Sequence, residues 1–330
     1  MTLRIGLTAA VVALLIARSS AQAPQKTREA HCAAARAAAG TEHVSLLNRF
    51  TDICGAAATA PQSGRGAGAP QAAREVPARE TWYHPPAKVF DNLYFVGTKI
   101  HNAWAVQTSE GLIVIDALYD YAVKDSVVDG LRKVGLNPGT MKYLIISHGH
   151  GDHHGGAKFL QDEFGPRVVM GGPDWTLVEN NKRDPSPKRD VVATDGQKIT
   201  LGDTTVTLHH TPGHTAGTFS LIIPVKDNGK SHLIATWGGT ALSRNTPAPA
   251  LKDYVDSAVR YRELLKKLGV EAIISNHSEF DHSTAKLEQL ARRKTGERHP
   301  FLTGADSVHR YMTVVEEVGR AAMAAAASGQ

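Results

Sequence analysis

Four histidines and one aspartate lie within seven residues of the sequence. They are His148, His150, Asp152, His153 and His154. Imidazole nitrogens combined with a carboxylate are a donor set that suits Zn²⁺ best, although iron and manganese also accept it. On an extended backbone the alternating His148 and His150 can face one centre, while Asp152 and His153 turn toward a neighbouring one. The cluster predicts a metal site, because the alternative, a solvated polar loop, would bury several histidines without partners.

The residues around this cluster predict a strand end that positions it. The apolar run 143–146 reads as a buried strand and leads almost directly into His148. A second apolar run, 112–115, has the continuous pattern of a strand covered on both faces and ends at Asp116. Ligand sites in α/β folds lie at such strand ends. Four glycines, at positions 149, 151, 155 and 156, allow the loop to approach an ion closely.

Strand patterns and helix patterns then alternate in two halves from about residue 81 to the end of the chain. The first half predicts strands over 89–96, 103–107 and 167–170 and a helix over 119–134. The second half predicts strands over 204–209, 218–223, 232–236 and 272–275, and helices over 252–268, 283–294 and 305–326. Strands followed by helices in two halves indicate an α/β domain, 81–330, of two sheets packed face to face with helices outside.

The first 23 residues have the pattern of a signal peptide. A short basic start is followed by an apolar stretch over 5–17 and by small residues ending in an A-x-A site, 21–23. The apolar stretch is short for a membrane span, so an uncleaved anchor is the less favoured alternative. We therefore expect a periplasmic or secreted protein without a stable membrane anchor.

Residues 24–58 are rich in alanine and predict one or two short helices. They contain both cysteines of the chain, Cys32 and Cys54. In an oxidising compartment a disulfide that closes a local helical hairpin is favoured over two free buried thiols. Residues 59–80, rich in Ala, Gly, Pro, Gln and Arg, predict a flexible linker to the main domain.

Composition excludes several classes of protein. The chain of 330 residues is 42% hydrophobic, which excludes a disordered or collagen-like polymer. Its 37 Lys and Arg against 32 Asp and Glu give a formal charge of +5. With no basic cluster beyond residues 292–294, this surplus does not indicate a nucleic-acid partner, and a small-molecule substrate is expected. The sequence leaves the oligomeric state open.

Three further segments extend the pattern beyond the histidine cluster. The H-x-H-x-D-H spacing of 148–153 is joined by T-P-G-H-T-A-G over 211–217, by Asp116, and by Ser-Asn-His over 275–277. Together they resemble the signature of the metallo-β-lactamase superfamily over roughly residues 85–315. The resemblance implies an αββα four-layer sandwich of two mixed β-sheets flanked by helices.

The same resemblance implies two zinc ions per chain. The first would be held by His148, His150 and His214, and the second by Asp152, His153 and His277. Each ion would keep open positions, which is the pattern of catalytic zinc sites. Asp116 is expected to orient a ligand imidazole, with a plain strand-end cap as the alternative. Packing or surface roles are favoured for the competing histidines, which are His154, His209 and His210.

Two absences narrow the resemblance. Residues 236–241 contain no aspartate where many hydrolases of the superfamily place a metal-bridging one, and no cysteine lies near the site. An Asp-His-His second site of this kind resembles the third subclass of metallo-β-lactamases. Serines that commonly hold the substrate carboxylate there are replaced, so Thr240 and Ser243 are the candidates. Trp104 is a further candidate wall of the substrate pocket, although core packing is favoured for it.

The function that the resemblance implies is opening of a β-lactam or a related cyclic amide. A zinc-activated hydroxide would attack the carbonyl, with Asp152 holding that hydroxide as the catalytic carboxylate. The altered serine region keeps a second hypothesis open, a hydrolase of another ester, lactone or amide with little lactamase activity. A zinc-binding protein without turnover is a third hypothesis, which open metal positions disfavour.

Overall fold

The computed structural model describes residues 26–55, 75–243 and 245–328. The signal peptide predicted over 1–23 and most of the linker predicted over 59–80 lie outside these residues. Among the described residues, twelve strands form two sheets. The strands are β1 Ala87–Phe90, β2 Leu93–Phe95, β3 Trp104–Thr108, β4 Gly111–Ile115, β5 Met141–Ile145, β6 Arg167–Gly171, β7 Val191–Ala193, β8 Lys198–Leu201, β9 Thr204–His210, β10 Phe219–Asp227, β11 Lys230–Thr236 and β12 Ala272–Ile274.

Both sheets are mixed, as the sequence predicts. The first has seven strands in the order β1 to β7, antiparallel through β4 and parallel from β4 onward. The second has five strands in the order β12-β11-β10-β9-β8, of which only the β11–β12 pair is parallel. Parallel strands need crossover helices, which places helices over the sheet faces.

Helices cover the outer face of each sheet. They are α1 Arg28–Ala39, α2 Val44–Asn48, α3 Thr51–Cys54, α4 Arg79–Trp82, α5 Asp120–Val123, α6 Asp129–Lys133, α7 Gly151–His154, α8 Ala157–Phe164, α9 Gly172–Asn180, α10 Ala248–Leu268, α11 Ser278–Asp281, α12 Ser283–Ala291 and α13 Ala305–Ser328. The resulting order is helices, sheet, sheet, helices. The predicted four-layer fold is thereby confirmed.

The apolar run of β4 explains why the layers stack in this way. Ile113 and Ile115 point into the core between the two sheets, whereas Leu112 and Val114 point into the core beneath the helices of the first sheet. All four side chains are buried. A strand that buries both faces has no polar alternation, which is what its sequence shows.

Two parts of the observed structure differ from the predicted elements. The strands β7 and β8 are absent from the prediction because they are short and lack a continuous apolar run. The helix predicted over 119–134 is present but contains a π-helical turn, Lys124–Val128, between α5 and α6. The ligand-bearing strand ends are unaffected by either difference.

The N-terminal helices pack on the C-terminal helix α13. Cys32, Leu46 and Phe50 belong to the same apolar core as α10 and α13. His31 Nδ1 lies 2.7 Å from Glu317 Oε2 on α13, so polar contacts accompany the apolar ones. The predicted Cys32–Cys54 disulfide is present and closes this segment. The segment therefore braces the helical layer of the second sheet.

Across 26–55, 75–243 and 245–328, no helix is long and apolar enough to cross a membrane.

Removing the disulfide is expected to destabilise the protein. The bond spans 22 residues, and a loop of that length corresponds to about 3 kcal/mol in the free energy of unfolding through reduced chain entropy. The double variant Cys32→Ala/Cys54→Ala should therefore unfold at a lower denaturant concentration than the oxidised wild type. Reduced wild type is the control and should match the variant. An unchanged unfolding midpoint would contradict the bracing role of this segment.

Candidate metal centre

Three histidines from two loops converge on one point. His148 and His150 follow β5, and His214 lies in the loop between β9 and β10. His214 Nε2 lies 3.1 Å from His148 Nε2 and 3.0 Å from His150 Nδ1. The rings meet edge to face, with His148 and His214 centroids 4.5 Å apart at 90°. Three imidazole nitrogens so close together form a donor set for a cation.

The other ring nitrogens are committed to backbone carbonyls. His148 Nδ1 donates to the carbonyl of Gly238 at 2.9 Å, and His214 Nδ1 donates to the carbonyl of Ala241 at 2.7 Å. A carbonyl only accepts hydrogen bonds, so both Nδ1 atoms carry hydrogen and both Nε2 atoms present lone pairs in the neutral rings. Orienting contacts of this kind are typical of metal-ligating histidines, and the site fits a zinc ion.

Burial keeps these imidazoles neutral. It holds the pKa of His148 well below the ordinary range, and the neighbouring rings of His153 and His214 lower it further. Burial and then His150 lower the pKa of His214 to about 3. At neutral pH a metal ion therefore meets lone pairs here rather than protons that it must displace.

A second cluster contains the carboxylate. Asp152 Oδ2, His153 Nε2 and His277 Nε2 are each 3.2 Å from the other two. Asp152 and His153 lie on the short helix α7, and His277 follows β12. The structure thus brings together all three residues that the resemblance assigns to the second zinc.

The carboxylate and the imidazoles of this second cluster stabilise each other's charged forms. Burial by itself would raise the pKa of Asp152, but His153 and His277 hold it well below the ordinary range. Burial by itself would lower the pKa of His153, but the carboxylates of Asp152 and Asp116 raise it to about 10. The second cluster is therefore a charged site, in contrast to the neutral first one.

The two clusters are adjacent and open into one small pocket. The ring centroids of His148 and His153, one from each cluster, are 4.2 Å apart. The pocket has a volume of about 110 Å³. Besides the ligand candidates it is lined by Thr240, Ala241, Asn276 and Phe280. A substrate group that enters this pocket contacts both clusters.

Asp116 orients one ligand of the second cluster. Its Oδ2 accepts hydrogen bonds from His153 Nδ1 at 2.9 Å and from Ser147 Oγ at 2.9 Å, and its Oδ1 accepts one from the Ser147 amide at 2.7 Å. The residue is buried and has a positive φ of 61°. A strained backbone conformation is thus maintained where it presents a carboxylate to a ligand imidazole.

Asp174, at the start of α9, is a site residue that sequence reasoning missed. Its Oδ2 accepts hydrogen bonds from the Gly149 amide at 2.7 Å and from Thr215 Oγ1 at 2.6 Å. Its Oδ1 accepts one from the Gly217 amide at 3.0 Å. This buried carboxylate therefore ties the loop of His148 and His150 to the loop of His214. No local sequence signal marks it, because its partners are distant in sequence.

Two glycines occupy the place where a bridging aspartate is absent. A Cβ atom at Gly239 would lie 2.5 Å from His214 Cβ, and one at Gly238 would lie 1.9 Å from the carbonyl oxygen of Phe219. The Gly238 carbonyl also accepts a hydrogen bond from Asn276 Nδ2 at 2.9 Å, besides the one from His148. Side chains are therefore excluded here, and the backbone itself orients a ligand.

The three proposed substrate residues lie in different environments. Thr240 lines the pocket. Ser243 lies beyond the pocket lining, and its hydroxyl accepts a hydrogen bond from the Asn245 amide at 3.0 Å. Trp104 is buried in the core between the sheets and donates from Nε1 to the carbonyl of Ser275 at 3.1 Å. The structure therefore places Trp104 behind the strand that leads to His277 rather than in the pocket.

The competing histidines lie outside the two clusters. His210 contacts the Ala216 carbonyl at 2.9 Å, and His209 Nδ1 lies 3.9 Å from an Asp195 oxygen. His154 is buried next to His153, and burial lowers its pKa to about 4. A histidine not singled out in the sequence, His101, lies instead beside the second cluster, with Nε2 3.6 Å from Asp152 Oδ2.

Comparison with known proteins agrees with this geometry. The family model described as the metallo-beta-lactamase superfamily matches residues 96–227. The subclass B3 metallo-beta-lactamase of Bradyrhizobium japonicum has a similar structure, with a TM-score of 0.62 and 28% sequence identity. That alignment covers 71% of this chain and 92% of the other.

Two curated relatives of other specificity are also similar. A hydroxyacylglutathione hydrolase of Acidiphilium cryptum is 25% identical over 54% of this chain and 68% of its own length. An N-acyl homoserine lactonase of a Bacillus species is 31% identical over 32% of this chain and 42% of its own length. The chain therefore belongs to the metallo-beta-lactamase superfamily of hydrolases.

Proposed function

We propose that this protein is an exported hydrolase that holds two zinc ions per chain and opens a β-lactam or a related cyclic amide. The observation that carries the proposal is the pair of adjacent donor sets. Three histidines, His148, His150 and His214, form one set, and Asp152 forms the other with two histidines. The second set has neither a cysteine nor a bridging carboxylate, which matches the subclass B3 similarity.

The donor chemistry supports zinc. Both sets offer imidazole nitrogens, and the three-histidine set has three protein donors, as catalytic zinc sites have. Bound zinc makes a water acidic enough to attack near neutral pH and polarises the carbonyl that is attacked.

The chain's own residues supply binding, orientation and proton handling. His148 and His214 are held with their lone pairs toward the pocket by the carbonyls of Gly238 and Ala241. Asp152 is ionised and lines the pocket, so its carboxylate can take up the proton of the attacking water at the oxygen that does not bind metal. Thr240 and Phe280 form the wall against which the substrate lies. A pocket of about 110 Å³ admits the reacting ring and leaves larger substituents outside.

Export is supported by the sequence pattern of residues 1–23 and by the disulfide. Structural disulfides persist in oxidising compartments and are rare in the cytosol. The Cys32–Cys54 bond joins a segment that packs on the main domain, so it belongs to the folded protein. A periplasmic or secreted location follows from this reading.

A second candidate function is hydrolysis of another ester, lactone or thioester. It is favoured by Ser243, whose hydroxyl is engaged in a turn rather than directed to the pocket. The similarity to a hydroxyacylglutathione hydrolase and to a lactonase supports the same alternative.

Turnover of a chromogenic β-lactam by the zinc-loaded protein tests the proposal. We expect hydrolysis that is abolished by a chelator and restored by zinc. The variant His150→Ala should bind one equivalent of zinc less and lose at least a hundredfold in kcat/KM, because it removes one of three donors of the first set.

The control for this experiment is His209→Ala, which removes a histidine outside both clusters and should keep full activity. Activity on lactones or thioesters without β-lactam turnover would establish the second candidate function instead. Full zinc content and full activity in His150→Ala would contradict the assignment of the first set.

Asp116→Asn should weaken the second zinc site selectively. An amide nitrogen cannot accept the hydrogen bond from His153 Nδ1, and loss of such an orienting contact typically costs about 10–100-fold in metal affinity. Chelator-competition titrations should therefore show one weakened equivalent and one unchanged equivalent. Asp162→Asn, an exposed carboxylate on α8, is the matched control. Equal affinities in Asp116→Asn and wild type would show that Asp116 is only a strand-end cap.

Gly239→Ala should disturb the first zinc site. The added methyl group would lie 2.5 Å from His214 Cβ, so the ligand or the backbone must shift. We expect at least a tenfold loss in affinity for one zinc ion, because ligand geometry determines affinity. Gly172→Ala is the control, since its nearest neighbour would lie at 3.4 Å. Unchanged zinc binding in Gly239→Ala would contradict the close packing inferred here.

A further inference from the structure

A histidine outside the family signature lies at the second metal cluster. His101 is in the loop between β2 and β3, far in sequence from the histidine cluster. Its amide donates to Thr98 Oγ1 at 2.9 Å, and its carbonyl accepts from the Thr98 amide at 2.7 Å. The loop is therefore a tight, internally hydrogen-bonded turn that presents the imidazole.

The backbone holds this turn against the segment that carries His277. His101 and His277 form an isolated antiparallel bridge. On one side, the Asn102 amide donates to the Asn276 carbonyl at 2.8 Å, and on the other, the Ser278 amide donates to the Ile100 carbonyl at 2.8 Å. His101 is thus positioned by the same segment that positions a ligand of the second cluster.

The imidazole of His101 faces the second cluster. Its Nε2 lies 3.6 Å from Asp152 Oδ2, and a donor atom of each of His101, Asp152 and His277 lies within 4.8 Å of the others. The ring packs edge-on against His277, with centroids 4.9 Å apart, and against Tyr119, with centroids 5.0 Å apart. The side chain is only 19% exposed, so the ring is directed inward.

We propose that His101 is a fourth protein ligand of the second metal ion, together with Asp152, His153 and His277. The proposal rests on the two-zinc function proposed above. A separation of 3.6 Å is long for a hydrogen bond to Asp152, so hydrogen bonding does not account for the placement. Two donors of one metal ion are separated by about 3–4 Å when each lies near 2.1 Å from the ion.

A fourth donor changes the character of the second site. Three imidazoles and one carboxylate complete the tetrahedral set of a closed zinc site, whereas three histidines leave the first site open. The ion in the second site would then be held more tightly, and the first site would be the one that offers exchangeable positions. The two sites are therefore predicted to differ in affinity.

Zinc titration with a competing chelator tests the proposal without an activity readout. The variants are His101→Ala and His101→Phe, because phenylalanine keeps a ring against Tyr119 and His277 but offers no nitrogen donor. We expect both variants to lose at least tenfold in affinity for one zinc ion and to keep the other affinity. His209→Ala is a matched control, since its side chain is 15% exposed and its Nδ1 lies 3.9 Å from an aspartate oxygen.

Proton NMR of the cobalt-loaded protein supplies a second readout. Each ligated histidine contributes one shifted, solvent-exchangeable N–H signal, so His101→Phe should show one signal fewer than wild type. Two tight ions in His101→Phe, with the full number of signals, would overturn the proposal while leaving the proposed function intact. Fewer than two bound ions in wild type would overturn the proposed function, and this proposal with it.

Discussion

Facing lone pairs are the constraint on which the rest of this structure depends. Imidazoles and one carboxylate from three separate stretches of chain are packed against each other, an arrangement that is unfavourable unless each ring is fixed and a cation is shared. The fold meets this requirement through the far side of each ligand. His148 and His214 are tied to backbone carbonyls, and His153 is tied to the Asp116 carboxylate. The ligand geometry is therefore carried by groups that do not themselves face the pocket.

The two sheets supply these fixing groups by meeting at their strand ends. The loop after β5 comes from the first sheet, whereas the loop between β9 and β10 and the segment after β12 come from the second. Asp174 connects the first two loops through hydrogen bonds to their amides. Asn276 and the Gly238 carbonyl connect the remaining segment. The centre is thus built across the seam between the sheets, and neither sheet contains it alone.

How much was predictable follows from whether a residue's partners are local. The ligand cluster 148–153 and the strands around it were predictable because spacing and apolar runs are properties of a short stretch. Asp174 and His101 were not, because each is defined by contacts with residues distant in sequence. Trp104 shows the reverse case, since an aromatic residue near a site has the same local pattern whether it faces the core or the pocket. Short strands such as β7 depend on their neighbours for pairing and carry little signal of their own.

The packing of α1 on α13 has a consequence for how the chain is completed during synthesis. His31 and Glu317 are 286 positions apart, so the first helical segment to emerge from the ribosome finds its partner only when the last helix has been made. Until then, the apolar face that holds Cys32 and Leu46 has no core to join. Chain ends that must meet impose a late, entropically costly closure on folding and leave an interval in which exposed apolar surface can aggregate. Full-length release of the chain, rather than growth from the N-terminus, therefore sets the moment at which this domain becomes compact.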